Sequence, residues 1–258
     1  MATPALPSGD ALLPSVLLTP AGEGPHPLVV VLNGFPGNER NADLAQALRR
    51  LGYAALSFHY RGSWGTRGTW SWSGVQADVA NVLSLIYDGA LAGFAVDPAR
   101  VALVGHSLGG FAALRAAAAD PGIRAVAALA PFDLGRAGDL AAGDAARHAA
   151  YVRDFDGELL PLRGTSGAAL VDEMVAAAAD WRLSALAERL AGRPVLLVGG
   201  DRDAVAEPDV HFRPLLQSYA TNPALEHALL DTDHALSDRR VAMIRLVAGF
   251  LGRVLPAG

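Results

Sequence analysis

The 258-residue sequence contains no cysteine and no lysine. The absence of cysteine excludes disulfide bonds, thiolate metal sites and a cysteine nucleophile. All 21 basic residues are arginines, which we attribute to coding bias. Because cysteine is absent, a nucleophile in this chain must be a residue of a type other than cysteine.

The chain also lacks a basic patch and a long hydrophobic run. Its net charge is −5 at pH 7 and no stretch clusters its arginines, so we expect no nucleic-acid partner. No apolar run reaches the roughly 18 residues of a membrane span. The N-terminal stretch lacks the basic start of a secretory signal. We therefore expect a cytoplasmic protein that acts on small neutral or organic molecules.

Short apolar runs alternate with helical patterns along the chain. With 52% hydrophobic residues, a chain of this length can form one large α/β domain or two small ones. The runs typical of buried parallel strands are 28–33, 53–60, 100–105, 125–130, 194–199 and 226–231. Helical patterns lie at 41–52, 73–93, 108–120 and 237–255. The alternation predicts a doubly wound, mainly parallel α/β sheet, and the run at 15–19 predicts an antiparallel edge strand.

The alternation is interrupted between Pro131 and Trp181, where the sequence has helical patches and no strand pattern. This stretch is far longer than an ordinary connection between a helix and a strand. Open α/β sheets bind ligands beyond the carboxyl ends of their strands, so we expect the stretch to cover that edge. The prediction is a single domain over 1–258, with its core at 15–130 and 183–252 and a helical cap inserted at 131–182.

The stretch GHSLG at 105–109 places Ser107 between two glycines. The apolar run VALVG leads into it, and a helical pattern begins at Leu108. Strand, G-x-S-x-G and helix in this order are typical of a nucleophile elbow, a turn too sharp for side chains at the flanking positions. The helix N-terminus also presents its positive dipole end to a developing oxyanion. We predict that Ser107 is a nucleophile.

A serine nucleophile needs a histidine base, and the base needs a carboxylate that orients it. In proteins with a nucleophile elbow, the acid and then the histidine follow the serine along the chain. Asp203 follows the fifth strand pattern and His234 the sixth, so we predict that these two residues complete a triad. Asp201 is the alternative acid, although it fits a turn cap better. His227 is the alternative base, although it lies within a strand pattern.

An oxyanion hole needs two backbone N–H groups, one of them from the residue after the nucleophile. That residue is Leu108. The second predicted donor is Phe35 in the loop NGFPGNE, since Pro36 has no N–H group. An ordinary Gly-Pro turn is the alternative interpretation of this loop.

Three residues are candidates for substrate binding: Arg61, Trp64 and His106. Arg61 could hold a substrate carboxylate, Trp64 could line an apolar acyl pocket with the nearby Trp70 and Trp72, and His106 could form a wall of the site. The alternatives are that Arg61 anchors its loop by hydrogen bonds and that the aromatic residues pack in the core. The acidic residues of 131–182 match no metal-binding spacing, so we predict neither a metal nor another cofactor.

The motifs strand-GHSLGG-helix, GDRDAV, DHALSD and NGFPG together resemble those of the α/β-hydrolase fold family, in matching order from about residue 15 to 252. The stretch FHYRGSWGTRGTWSWSGVQADVANVL is similar to the YRGS-G region of small prolyl oligopeptidase-like bacterial hydrolases. The resemblance implies a serine hydrolase of esters or peptide-type acyl bonds, with Ser107, Asp203 and His234 at the triad positions. Asn33 stands where the family usually has the histidine of H-G-x-P-G.

We expect a serine hydrolase that cleaves carboxylic esters of small organic substrates through an acyl-enzyme intermediate. The same triad could serve a peptidase or amidase, or a thioesterase or acyltransferase. A chain of this fold could also bind small molecules without turnover, because a fold does not dictate a function.

Overall fold

The computed structural model describes residues 1–257, and a seven-stranded sheet lies at its centre. The sheet strands are β3 (Ser15–Leu18), β4 (His26–Leu32), β5 (Ala54–Phe58), β6 (Val96–His106), β7 (Ile123–Leu129), β8 (Val195–Gly200) and β9 (Leu225–Leu230). Their order across the sheet is β3-β5-β4-β6-β7-β8-β9. All neighbours pair in parallel except the edge strand β3, which runs antiparallel to β5.

Helices pack on both faces of this sheet. They are α1 (Ala42–Arg50), α2 (Trp72–Tyr87), α3 (Leu108–Ala119), α4 (Leu134–Gly143), α5 (Ala145–Asp156), α6 (Gly167–Ala176), α7 (Ala178–Trp181), α8 (Arg213–Ser218) and α9 (Arg240–Val254). Helices α1 and α9 bury their apolar stripes on one face, and α2 and α3 bury theirs on the other. The doubly wound, mainly parallel fold predicted from the sequence is confirmed. None of the described helices is both long and apolar enough to span a bilayer.

The central strands are buried on both sides, which explains their nearly continuous apolar sequences. Residues Leu28–Leu32 of β4 and Val101–Val104 of β6 are at most 1% exposed. Alternate residues of each strand face the two helical layers, so Val30 and Leu103 belong to one core and Val31 and Val104 to the other.

An N-terminal hairpin precedes the sheet and was not predicted. Its strands are β1 (Leu6–Ser8) and β2 (Ala11–Leu13), which pair antiparallel and bury Leu6 and Leu13. Prolines at positions 4, 7 and 14 obscure the strand pattern in the sequence, because proline ordinarily interrupts strands. Proline is nevertheless tolerated in strands at sheet edges.

The stretch 131–182, here called the inserted segment, connects the neighbouring strands β7 and β8 and contains α4 to α7. Asp133 joins its two ends. One carboxylate oxygen accepts a hydrogen bond from the Arg136 N–H at 3.0 Å, at the start of α4, and the other accepts from the Leu183 N–H at 3.1 Å, just after the segment. Burial raises the pKa of this carboxyl to about 6, although these backbone hydrogen bonds oppose the shift. Asp133 therefore holds the start of the segment beside the residue that follows its end.

Candidate active site

Ser107 lies in the sharp turn between β6 and α3. Its backbone angles are φ 56° and ψ −119°, a conformation that non-glycine residues rarely adopt and that is typical of functional sites. The turn is possible because glycines stand two residues before and two residues after Ser107. A Cβ atom on Gly105 would overlap the carbonyl oxygen of Gly109, and a Cβ on Gly109 would overlap the carbonyl oxygen of Leu32. Gly105 is thus required for the close approach of the first turn of α3, and Gly109 for the packing of that turn against β4.

The loop after β4 packs directly against this elbow. A Cβ atom on Gly34 would lie 3.1 Å from the Cβ of Ser107, so the backbone leading into Phe35 passes beside the serine. The N–H of Leu108 has no acceptor within its helix because Leu108 is the first helical residue. The Phe35 N–H also has no backbone acceptor within residues 1–257. Both predicted oxyanion donors therefore lie near Ser107 with their N–H groups available.

Asn33 holds the start of this loop. Its side-chain amide donates to the Phe58 carbonyl at 2.9 Å, and its own carbonyl accepts from the Tyr60 hydroxyl at 3.1 Å. The residue that departs from the family's histidine thus fixes the loop to the neighbouring strand β5.

Asp203 and His234 come together from the loops after β8 and β9. His234 Nδ1 lies 2.7 Å from one carboxylate oxygen of Asp203, and the other oxygen accepts from the N–H groups of Val205 (2.8 Å) and Ala206 (2.7 Å). Burial alone would raise the pKa of Asp203, but the hydrogen bonds from His234 and the backbone lower it below its usual value. Asp203 is therefore ionised at neutral pH, and we assign the histidine proton to Nδ1.

Ser107 and His234 border the same cavity of about 440 Å³, here called the elbow cavity. The structure contains no hydrogen bond between their side chains within residues 1–257. Serine–histidine contacts are often loose in the absence of substrate and tighten in the reacting complex. With the proton assigned to Nδ1, the Nε2 atom of His234 can accept a hydrogen bond from the Ser107 hydroxyl.

His106 also lines the elbow cavity, and its ring contacts the backbone of the loop that carries His234. Its Nε2 lies 2.7 Å from the backbone carbonyl oxygen of His234. Burial and the neighbouring His234 lower the pKa of His106 to about 4, so its ring is neutral at neutral pH.

Arg61 lies outside the elbow cavity, which corrects its prediction as a substrate contact. Its Nε donates to Asp78 at 2.7 Å, its backbone N–H donates to the same carboxylate at 2.8 Å, and its guanidinium reaches the Ser8 hydroxyl at 3.0 Å. The Asp78 side chain is fully buried. Arg61 therefore anchors the β5–α2 loop and the N-terminal hairpin.

Trp64 lies outside the elbow cavity too, so its prediction as a wall of the acyl pocket is corrected. It is 43% exposed and borders a neighbouring depression together with Leu160 and Pro161. Its indole N–H donates to the Pro36 carbonyl at 2.9 Å, which supports the loop that carries Phe35.

The aromatic wall of the cavity comes largely from residues that sequence reasoning missed. Tyr151 and Phe155 of α5 face the cavity together with Phe132, and Phe155 packs within 5.4 Å of the rings of Phe35 and Trp72. Tyr151 and Phe155 are four residues apart, so they share one face of a helix. That spacing in the inserted segment was the signal that could have identified them.

Charged residues lie at the border of the cavity. Arg147 of α5 forms a 2.8 Å ion pair with Glu207, which lies in the loop that follows Asp203. Asp154, Glu158 and Glu39 add acidic groups to the lining. The cavity thus combines aromatic walls, which suit an apolar ligand group, with a border of three acidic residues and one ion pair. Within the described residues, no group of three histidine, aspartate or glutamate side chains is arranged to hold a metal ion.

The parallel sheet, the elbow serine and the adjacent histidine–carboxylate pair define a protein of the hydrolase-fold class. The chain belongs to the alpha/beta hydrolase family, whose family model matches residues 29–246. Two curated, uncharacterised proteins from strains of Mycobacterium tuberculosis are 39% identical over 99 residues, which are 38% of this chain. The match spans about a third (34%) of the length of these curated relatives.

Solved structures with a similar fold include an esterase and an acylaminoacyl peptidase. Est1E from Butyrivibrio proteoclasticus superposes with a TM-score of 0.71 at 20% identity, covering 97% of this chain and 98% of that one. It has also been solved with ferulic acid bound. An esterase of Pyrococcus furiosus has a TM-score of 0.70 at 17% identity, covering 98% and 91% of the two chains. An acylaminoacyl peptidase of Pyrococcus horikoshii has a TM-score of 0.71 at 16% identity, covering 100% and 42%.

Proposed function

We propose that this protein is a serine hydrolase that cleaves carboxylic esters of small organic substrates. The observation that carries the proposal is the convergence of a strained elbow serine and a hydrogen-bonded histidine–aspartate pair on one cavity. A serine in that backbone conformation, an imidazole whose Nδ1 faces a carboxylate and a carboxylate held by further hydrogen bonds are the parts that nucleophilic acyl transfer needs.

In this mechanism the Ser107 hydroxyl attacks the ester carbonyl while His234 Nε2 accepts its proton. Asp203 keeps the imidazole in the required tautomer and stabilises the imidazolium that forms. The proton then passes from His234 to the leaving alkoxide, the carbon–oxygen bond of the ester breaks, and an acyl-serine remains. Water, deprotonated by His234, then attacks the acyl carbon; the bond from this carbon to Ser107 Oγ breaks, the acid is released, and His234 returns the proton to the serine oxygen.

The tetrahedral intermediates carry a negative charge on the former carbonyl oxygen. The N–H groups of Leu108 and Phe35 are the donors that we propose for this oxygen. The N-terminus of α3 adds the positive end of its dipole at the same point. Such preorganised donors contribute about 3 to 4 kcal/mol each in comparable sites.

The cavity walls support the substrate class that we propose. Phe132, Tyr151 and Phe155 present aromatic surface, which favours an apolar or aromatic group on the ester. The aromatic acid found bound to Est1E agrees with such a substrate. Because α5 supplies much of this wall, we propose that the inserted segment 131–182 acts as a cap that sets substrate preference.

Labelling with a fluorophosphonate probe tests this proposal. We expect the intact mass to increase by one probe adduct, with the modified peptide containing Ser107. The variants S107A and H234A should lose the adduct, whereas H227A, which alters a histidine on β9, should keep it. A folded wild-type protein that takes up no probe and hydrolyses no ester would contradict the proposal and favour a binding module without turnover.

The leaving group distinguishes the remaining chemistries of the same triad. The fold shared with an acylaminoacyl peptidase makes aminoacyl amides the first comparison, and acyl thioesters the second. We expect the kcat/KM for an aromatic ester to exceed that for the matched amide, since an alkoxide leaves more readily than an amine. A higher kcat/KM for the amide or thioester would move the assignment to a peptidase or a thioesterase.

A further inference from the structure

His106 precedes the elbow serine in the chain and contacts the loop that carries the proposed base. Its Nε2 lies 2.7 Å from the carbonyl oxygen of His234, and the two imidazole centroids are 5.0 Å apart. A carbonyl oxygen can only accept a hydrogen bond, so Nε2 of His106 must carry the proton. This fixes the His106 tautomer and leaves its Nδ1 without a proton.

The surroundings of His106 favour a neutral donor. The residue is 5% exposed, and its buried Nδ1 has no hydrogen-bond partner among residues 1–257. That nitrogen faces the backbone of Gly34, where an added Cβ would lie 3.3 Å away. The ring is therefore packed between the Gly34–Phe35 loop and the His234 loop, with one polar contact directed at the latter.

His234 is held at two points by two different elements. Asp203 holds its ring through Nδ1, which fixes the orientation of the imidazole, and His106 holds its backbone carbonyl. The turn around His234 also contains bonds from the Leu236 and Ser237 N–H groups to Asp233, and the Arg240 guanidinium of α9 donates to the Ala235 carbonyl at 3.2 Å. The contact from His106 ties this turn to the elbow that carries Ser107.

We propose that His106 is a positioning residue: its Nε2–H group holds the His234 backbone and thereby sets the distance between the base and the elbow serine. This inference rests on the proposed function. The alternative role is that of a cavity wall, in which His106 would act only through contact with the substrate.

The two roles differ in what a substitution changes. A positioning residue affects the reaction of Ser107 with every electrophile by the same factor, and it lowers kcat with little change in KM. A wall residue changes KM, and by amounts that depend on the acyl group. A misplacement of about 1 Å in a reacting pair can lower a rate by about 100-fold.

A matched pair of amide variants tests the donor directly. The glutamine of H106Q can place its amide nitrogen near the position of the histidine Nε2, whereas the shorter asparagine of H106N cannot reach the His234 carbonyl. We expect H106N and H106L to lower kcat about 10- to 100-fold at unchanged KM, by equal factors for a small acetyl ester and a large aromatic ester. H106Q should restore most of this loss. H26L serves as the control, because His26 is the first residue of β4, at the end of that strand away from the elbow.

Fluorophosphonate labelling rates separate this inference from the proposed function. If wild type labels at Ser107 and H106N labels equally fast, the positioning role is refuted while the serine hydrolase stands. If the wild-type protein neither reacts with the probe nor hydrolyses esters, the proposed function is refuted, and the inference that rests on it is refuted too. A KM effect that varies with the acyl group would also refute positioning. Should H106N not fold, ¹⁵N NMR of the wild type decides, because a His106 ring protonated at Nδ1 and not at Nε2 is incompatible with the proposed contact.

Discussion

At the scale of single residues, Asp203 and Asp201 are two residues apart and occupy very different environments. Asp203 is buried against His234, whereas Asp201 is exposed and pairs with Arg213 at 3.1 Å. We expect D203N to lower kcat on the order of 10³- to 10⁴-fold, because an amide facing Nδ1 would favour the wrong histidine tautomer. D201N should keep the wild-type kcat. Steady-state hydrolysis by both variants checks this, and equal activities would remove Asp203 from the mechanism.

His211 makes stability sensitive to acid. It is buried, its Nδ1 accepts from the Asp133 N–H at 3.0 Å, and burial lowers its pKa from 6.5 to about 3. Between those values the unfolded state binds more protons than the folded state, so the free energy of unfolding falls as the pH falls. We expect a loss of up to about 1.4 kcal/mol per pH unit relative to H211N, whose side-chain oxygen can still accept from Asp133.

Denaturant unfolding of wild type and H211N at pH 7, 6 and 5 measures this slope. The difference between the two proteins isolates His211, since Asp133 and the other titrating groups are common to both. A constant difference across this range would show that His211 is not the acid-sensitive group.

At the scale of elements, the packing of α4 on α6 depends on a glycine. A Cβ on Gly138 would overlap the Met174 carbonyl oxygen, whereas a Cβ on Gly143, at the end of the same helix, meets nothing within 4 Å. G138A should therefore lower the free energy of unfolding by about 1–3 kcal/mol, and G143A should not lower it. Thermal unfolding of both variants tests this, and equal melting temperatures would mean that the two helices separate without cost.

Elements with a strong periodic pattern were predictable and others were not. The parallel strands could be predicted because each is buried on both faces and reads as an apolar run. The N-terminal hairpin could not, since its prolines mask three-residue strands that are stabilised by tertiary contacts. The role of α5 was also missed, because the direction in which Tyr151 and Phe155 face depends on how the inserted segment folds back over the sheet.

The candidate site likewise contains residues whose positions could be predicted from the sequence and residues whose positions could not. Ser107, Asp203 and His234 could be located because each follows a strand, and the carboxyl ends of parallel strands meet at one edge of the sheet. Arg61 and Trp64 also follow a strand, yet the buried carboxylate of Asp78 draws Arg61 away from the cavity and the Pro36 carbonyl holds Trp64 beside it. Such side-chain partners are distant in sequence and leave no local pattern.

At the scale of the whole molecule, none of the buried residues described in the core on the α1–α9 face of the sheet lines the elbow cavity. Phe250 is fully buried in the layer formed by α1 and α9, whereas Phe155 borders the elbow cavity. F250A should lower the free energy of unfolding by about 3–5 kcal/mol and leave the kcat and KM of the folded protein unchanged. F155A should raise KM for an aromatic ester. Denaturation and kinetics on both variants check this, and a changed KM in F250A would contradict it.

The carboxylate of Asp133, which bonds both ends of the inserted segment, also bears on protein engineering. The segment lies between β7 and β8 in the chain, and these two strands are neighbours that pair directly with each other. Insertions whose ends lie close together are readily exchanged between proteins. We expect a chimaera that keeps Asp133 and Leu183 as its joints to receive a new wall for the elbow cavity while β7 and β8 remain paired.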